Sequence, residues 1–331
     1  MQNPVGYRFN PETDRAELVD FWAVMFNKVQ LVTFPHVIFA AYMTAGTFLL
    51  GVAAYLYMKK KHEADRPMYH RAIRIGAVVT LLAGIGVGVT GDLQGKVMTE
   101  VQPMKMAAAE GLYETEAPAD FSVLTIGSLD GTEEKFSIKI PNLLSFLATN
   151  TWDAEVQGIN QLREEYQQTY GEDPGAKYYS PGDYTPIIPV TYWTFRLMIG
   201  LGVVAAAGAA LLLWATRHKH LRPTSRGWVW LAVSMPLLPV AANSFGWIFT
   251  EMGRQPWAVF GLMTTATAVS PGVSVGEAWT SVITLTLVYA VLMVIEVGLM
   301  LRFIRKGADP FEEPPTPKLN EQSDEPLTFA Y

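Results

Sequence analysis

The sequence predicts an all-α membrane protein with five transmembrane helices and a long outside region between the second and the third. Half of its 331 residues are hydrophobic and 17% are charged, whereas about 25% are charged in soluble domains. The apolar residues lie in five windows, each with about the 20 residues that a helix needs to cross the hydrocarbon core. Buried helices of a soluble protein would be shorter and polar along one side. The windows are 34–58, 73–91, 190–215, 227–250 and 278–301.

The basic residues predict the orientation, because Lys and Arg concentrate at the cytoplasmic ends of transmembrane helices. They follow the first, third and fifth predicted helices, so these ends are expected in the cytoplasm. The acid-rich stretch 92–188, the stretch 251–276 and residues 1–30 then lie outside. The three basic groups are Lys59, Lys60, Lys61, Arg66, Arg71 and Arg74; Arg217, Lys219, Arg222 and Arg226; and Arg302, Arg305 and Lys306.

Five segments follow from this pattern. We expect an outside segment with an amphipathic helix (1–30), a transmembrane hairpin (31–91), an outside region (92–188), three transmembrane helices (189–306) and a disordered cytoplasmic tail (307–331). The first segment has no basic region followed by an apolar one, so it does not resemble a signal peptide. An outside segment of this kind is typical of a chain that lacks earlier helices.

The chain has no cysteine, which excludes iron–sulfur clusters, thiolate metal sites and disulfides within it. A metal would have to be bound by His, Met, Glu or Asp. The composition offers nothing that predicts a nucleic-acid partner.

His36 and Met198 are the first candidate ligands, and both lie at outer ends of predicted helices. Separately, His36 could serve as a packing hydrogen-bond partner and Met198 as core or lipid-facing filler. Together, a His and a Met on facing helices can bind a low-spin heme iron from its two sides. Arg196 lies about 200° around the helix from Met198; it could pair with a heme propionate or a ligand headgroup, or extend to the interface.

Two further charged pairs stand out. Glu251 and Arg254 form either an interfacial salt bridge or part of a heme pocket, in which the carboxylate would bind a high-spin iron. In "VQPMKMAAAEGLYET" (101–115), Lys105 and Glu110 belong either to a solvated helix or to a polar pocket at the membrane rim. Such a pocket could bind and deprotonate a lipid-soluble alcohol or phenol.

Four motifs carry a resemblance to a known family. The motif "GRQPW" (253–257), preceded by Glu251, together with "MQNPVG" (1–6), "VQPMKMAAAEGLYET" and "FRLM" (195–198), occurs in family order. The chain therefore resembles subunit I of the cytochrome bd-type quinol oxidases, over all but the acidic tail. The resemblance implies a quinol:dioxygen oxidoreductase that is electrogenic, reduces dioxygen to water and lies in the bacterial inner membrane. It also implies subunit II and membrane quinone as partners, with a small single-helix subunit as an option.

The resemblance assigns roles to the low-spin heme and quinol residues. His36 and Met198 match the axial ligands of low-spin heme b, and Arg196 matches an arginine beside it. Lys105 and Glu110 match the quinol-site residues of the family's periplasmic Q-loop. We expect both to lie near the low-spin heme edge rather than near Glu251.

The resemblance also points to a second heme site. Glu251 matches a ligand of one heme of the high-spin pair, heme b or heme d, and which of the two stays open. Trp247 and Arg254 match residues packed around the hemes. Family members begin with four more helices, so we expect an incomplete oxygen site and no oxygen reduction by this chain alone.

Two other functions remain in view. A non-catalytic assembly protein or pseudo-enzyme would keep the fold without the oxygen chemistry. A transporter would share the intramembrane charges and the prolines of the fourth helix, Pro236 and Pro239, although the sequence shows no inverted repeat.

Overall fold

The computed structural model describes residues 1–13, 15–59, 63–128, 132–178, 182–217 and 226–308. All but the first two residues of the tail predicted to be disordered lie outside these ranges, as do Lys60, Lys61, Lys219 and Arg222 of the predicted cytoplasmic groups. By contacts the chain divides into two units, Met1–Leu285 and Thr286–Tyr331.

The N-terminal segment holds an antiparallel hairpin of β1 (Tyr7–Asn10) and β2 (Arg15–Leu18), then the short helix α1 (Phe21–Met25). The Asp20 side chain caps α1 by accepting a hydrogen bond from the Ala23 amide at 3.0 Å. The helix α1 is five residues long. A second cap at Asn27, which accepts from the Val29 amide, starts the next helix.

The first two transmembrane helices, α2 (Lys28–Met58) and α3 (Arg66–Val101), form an antiparallel hairpin. They approach closely at two glycines. A Cβ added at Gly46 would lie 2.7 Å from Thr80 Oγ1, and one at Gly76 would lie 2.7 Å from the Leu50 amide nitrogen. Small residues let helix backbones approach this closely in membranes.

The region between α3 and the third span packs mainly around one short helix. Residues 104–110 of this helix, α4, are all buried, between two apolar clusters. Met104, Ala107 and Ala108 belong to one cluster, and Met106 belongs to the other. The elements are α4 (Pro103–Glu110), β3 (Phe121–Gly127), β4 (Glu134–Ile140), α5 (Leu143–Thr149) and α6 (Ile159–Tyr170).

The remaining helices complete the five spans that the sequence predicts. The fourth span, Arg226–Met252, is interrupted between Ser234 and Leu237, where Pro236 has no N–H to continue the helical hydrogen bonding. All described residues of the last helix are at least partly exposed. These elements are α7 (Ile188–Arg217), α8 (Arg226–Ser234), α9 (Leu237–Met252), the hairpin of β5 (Trp257–Val259) and β6 (Met263–Thr264), and α10 (Val275–Lys306).

A small cluster joins the middle parts of α2, α3 and α7 with the start of α9. Met43 of α2, Ala83 of α3 and Ala205 of α7 are buried together, with Leu238 of α9 packed against them. This cluster provides a common reference level for the side chains nearer the outer ends of these helices.

Candidate functional site

His36 faces α3 in the half of the α2–α3 hairpin that contains the start of α2 and the end of α3. Its Nδ1 lies 3.0 Å from Thr90 Oγ1, and the Thr90 hydroxyl donates to the Gly86 carbonyl at 2.7 Å. A Cβ added at Gly91 would lie 3.5 Å from His36 Cε1, so the imidazole lies against a bare stretch of backbone.

His36 and Met198 lie at the same level of the bundle. His36 precedes Met43 by seven residues, and Met198 precedes Ala205 by seven. Seven residues correspond to nearly two turns, about 10 Å, and return a side chain to the same side of its helix. Both residues are therefore displaced equally from the shared cluster, on the side that faces the bundle interior.

Met198 contacts α9. A Cβ added at Gly246 would lie 2.9 Å from Met198 Sδ, so the thioether packs against a glycine. A Cβ added at Gly200 or Gly202 would meet nothing within 4 Å, so both glycines adjoin open space. Gly46, by contrast, lies in close contact with Thr80.

Arg196 pairs with Glu110, which no sequence pattern predicts. Arg196 Nη2 lies 2.7 Å from Glu110 Oε2 and donates to the Ser122 carbonyl at 2.6 Å. Glu110 is 4% exposed. Burial raises the pKa of Glu110, and the adjacent Arg196 partly opposes that rise.

Aromatic rings surround the Arg196 guanidinium. Its central carbon lies 4.9, 4.8 and 5.4 Å from the ring centroids of Phe121, Tyr192 and Phe195, distances at which cation–π attraction operates. The Tyr192 hydroxyl accepts from the Thr125 amide at 2.7 Å. The strand β3 thus holds the arginine in place from outside the membrane span.

Lys105 contacts the C-terminal end of α9. Its ammonium donates to the Thr250 carbonyl at 3.3 Å and lies 4.9 Å from the Phe249 ring centroid. The expectation that Lys105 lies away from Glu251 is wrong. Five residues of helix rotate a side chain by about 140°, so Lys105 and Glu110 leave α4 toward different helices.

Burial is the main cause of the low pKa of Lys105, which falls to about 8. Arg254 nearby lowers this pKa further, and the charge of Glu251 acts in the opposite direction. Lys105 can therefore change its charge near physiological pH.

Glu251 and Arg254 pair with each other, three residues apart at the end of α9. The interfacial salt bridge is thus the arrangement that the described side chains adopt. Glu251 nevertheless keeps 45% of its side chain exposed, and Trp247, one turn earlier, is 68% exposed. The carboxylate therefore remains open to a further ligand on that side.

Trp257 of the "GRQPW" motif packs the C-terminal end of α9 against the region between α3 and α7. Its ring stacks on Tyr184 at 5.1 Å and meets Tyr170 edge-on at 4.9 Å. Tyr184, Tyr192 and Thr90 were not predicted as site residues. Only Tyr192 carried a sequence signal, since it lies one helical turn before Arg196.

The donor chemistry of His36 and Met198 fits a low-spin heme iron. A His nitrogen and a Met thioether occur at one level of the bundle, with bare glycine backbone beside the imidazole. Both are known axial ligands of low-spin heme iron.

Comparison with known proteins places the chain in a family. A sequence profile described as cytochrome bd terminal oxidase subunit I matches residues 1–308. The chain belongs to the cytochrome bd terminal oxidase subunit I family, and with five apolar spans it is a multi-pass membrane protein.

Individual relatives agree with this assignment. The chain is 41% identical to cytochrome bd ubiquinol oxidase subunit 1 of Bacillus subtilis (strain 168), covering 93% of this chain and 63% of the relative. It is 29% identical to cytochrome bd-II ubiquinol oxidase subunit 1 of Escherichia coli (strain K12), covering 96% and 70%. The structure of bd oxidase from Geobacillus thermodenitrificans matches with a TM-score of 0.73 and 26% identity, covering 93% of this chain and 65% of that one. The chain thus spans about two thirds of the length of these relatives.

Proposed function

We propose that the chain is a heme-bearing subunit of a terminal quinol oxidase in the bacterial cytoplasmic membrane. The observation that carries this proposal is the buried Glu110–Arg196 ion pair. It connects a carboxylate of the outside region to a helix position only two residues from Met198. A proton acceptor would therefore lie at the same end of α7 as a proposed ligand of the electron-accepting heme.

The proposal assigns the cofactors to residues of this chain. His36 and Met198 would hold a low-spin heme b, and Glu251 would bind one heme of a high-spin pair made of heme b and heme d. When bound, these hemes would take electrons from quinol and deliver them to dioxygen. Two quinols lose four electrons and four protons, which is the number needed to reduce one dioxygen to two waters.

Glu110 would accept protons from the quinol hydroxyls. A general base works best when its pKa is near the working pH, and burial raises the pKa of Glu110 toward that range. Arg196 keeps the carboxylate oriented through its hydrogen bonds to both Glu110 oxygens and to the Ser122 carbonyl. Because this group lies on the predicted outer side, protons released there would contribute to a membrane potential.

Lys105 would stabilise negative charge at the opposite end of α4. An ammonium in a buried site attracts an anion more strongly than one in water. Its position against the Thr250 carbonyl places that charge beside the end of α9. A quinol that has lost its first proton is the anion that Lys105 would favour.

The proposed partners follow from family membership. They are subunit II of the oxidase, membrane quinone and, as an option, a small single-helix subunit. The described surface of α10, which is exposed along its length and largely apolar, is compatible with lipid or with a partner helix.

The test is a pair of substitutions in the assembled oxidase. Glu110→Gln should slow quinol-driven oxygen consumption at least ~10-fold, because general bases contribute about 10²–10⁴-fold, while the heme spectrum stays unchanged. Glu114→Gln is the matched control, since Glu114 is exposed and bound by Asn160 and Gln161. Normal turnover in Glu110→Gln would remove Glu110 from the mechanism. Absence of heme absorbance in the unmodified protein would favour a non-catalytic role or a transporter.

A further inference from the structure

We propose that Thr90 is a positioning residue that holds His36 in the tautomer able to bind iron. This inference rests on the proposed function of His36 as a heme ligand, and it adds a residue outside the ligand set.

The argument begins with the single proton of the Thr90 hydroxyl. The hydroxyl donates to the Gly86 carbonyl at 2.7 Å, a common bond between a Thr side chain and the preceding turn of its helix. Having donated that proton, the oxygen can only accept from His36 Nδ1, 3.0 Å away.

The directions of these two hydrogen bonds determine which imidazole nitrogen carries the proton. A neutral histidine carries one N–H, and the accepting Thr90 oxygen requires it on Nδ1. Nε2 then holds a lone pair, which is the form that binds a metal. The opposite tautomer would place the proton on Nε2 and leave Nδ1 facing an oxygen with no proton to give.

The other group that hydrogen-bonds the His36 ring is the backbone of Val87, and its carbonyl, like the Thr90 oxygen, can only accept. Thr90 is 8% exposed, so water has little access to its hydroxyl. The imidazole lies against Gly91, where an added Cβ would be at 3.5 Å from Cε1. A ring oriented by a hydrogen bond and by packing presents Nε2 in one direction before any cofactor arrives.

A hydrogen bond on Nδ1–H also makes the imidazole a stronger donor to a metal. A stronger donor favours ferric over ferrous iron and so lowers the midpoint potential. Outer hydrogen-bond partners of metal-binding histidines contribute about 10–100-fold to metal affinity or activity.

The experiment compares Thr90→Val, Thr90→Ser and Thr80→Val in the assembled oxidase. Valine keeps the shape of threonine without the hydroxyl, and serine keeps the hydroxyl. Thr80 is the matched control, because it is buried in the same helix and donates to Gly76 in the same way without facing a histidine. The readouts are low-spin heme content, the g values of the ferric heme and its midpoint potential.

Thr90→Val should raise the midpoint potential and change the g values, or lose low-spin heme, while Thr90→Ser and Thr80→Val retain the unmodified values. Unchanged spectra and potential in Thr90→Val would overturn the proposal, as would equal changes in Thr90→Ser. A low-spin heme missing from the unmodified oxidase would instead refute the proposed function.

Discussion

At the scale of single residues, Arg196 combines the largest number of interactions near the candidate site. It pairs with Glu110, donates to the Ser122 carbonyl and lies among three aromatic rings. Removing one member of a buried ion pair leaves the other charge uncompensated, which costs far more than the pair itself contributes. Glu110 would relieve that cost by binding a proton.

This reasoning predicts the pH dependence of Arg196→Gln. Without the guanidinium, nothing opposes the effect of burial on the pKa of Glu110, so that pKa rises further. The carboxylate base then exists only at higher pH, and quinol oxidation should be slow at neutral pH and recover as pH increases. The measurement is the pH profile of quinol oxidation. The control is Arg163→Gln, which breaks the ion pair with Asp183 and should keep the original pH profile. An unchanged pH profile in Arg196→Gln would show that Arg196 does not control the protonation of Glu110.

Lys105 carries a second residue-scale prediction. Its pKa of about 8 means that the ammonium is present below that pH and lost above it. If the ammonium stabilises the quinol anion, the rate should fall as pH rises through about 8. Lys105→Met should lower the rate and abolish this descending limb. The control is Lys139→Met, because the Lys139 ammonium pairs with Glu116 and with Glu134 of β4. If the rate of Lys105→Met still falls as pH rises through about 8, the descending limb reports the titration of another group.

At the scale of elements, the α2–α3 hairpin depends on contacts that only glycine permits. A Cβ at Gly76 would overlap the backbone of Leu50 on α2, at 2.7 Å from its nitrogen. Because Thr90 and His36 are held by the same two helices, a change in their spacing reaches the candidate heme position. Close packing of α2 against α3 is therefore required for the candidate heme site as well as for the fold.

Gly76→Ala should accordingly lower stability by about 1–3 kcal/mol, the usual cost of overpacking. Gly95→Ala is the control on the same helix, since a Cβ there meets nothing within 4 Å. It should be neutral or stabilise the helix by about 0.5–1 kcal/mol, because alanine lowers the backbone entropy cost. Thermal unfolding of the purified oxidase distinguishes the two. Equal thermal unfolding midpoints in Gly76→Ala and Gly95→Ala would show that the hairpin accommodates the Cβ at position 76 without loss of stability.

The elements that the sequence predicts best are those with a local physical cause. Long windows with almost no charge identify the five spans, and Pro236 explains the interruption of the fourth. The pairing of Arg196 with Glu110 joins residues 86 positions apart, and no periodicity encodes such a contact. The location of Lys105 was predicted wrongly for the same reason: the direction in which α4 packs depends on two clusters assembled from distant segments.

At the scale of the whole molecule, the proposed chemistry depends on which side of the membrane the region between α3 and α7 occupies. Glu110 and Lys105 belong to α4, which follows directly on the end of α3. Protons accepted there contribute to a membrane potential only if that end faces outward. The arrangement of Lys and Arg predicts this orientation, and it can be measured independently of activity.

Because the chain has no cysteine, a cysteine introduced by substitution is the only thiol in the chain that a maleimide can label. Thr151→Cys places a thiol on the exposed surface of the outside region, and Met68→Cys places one at the start of α3, where Met68 is 48% exposed. In intact spheroplasts, a membrane-impermeant maleimide should label Thr151→Cys, and it should label Met68→Cys only after permeabilisation. Retained quinol oxidation in both variants controls for folding. The reverse pattern would place Glu110 on the cytoplasmic side, and proton release from quinol there could not support the proposed membrane potential.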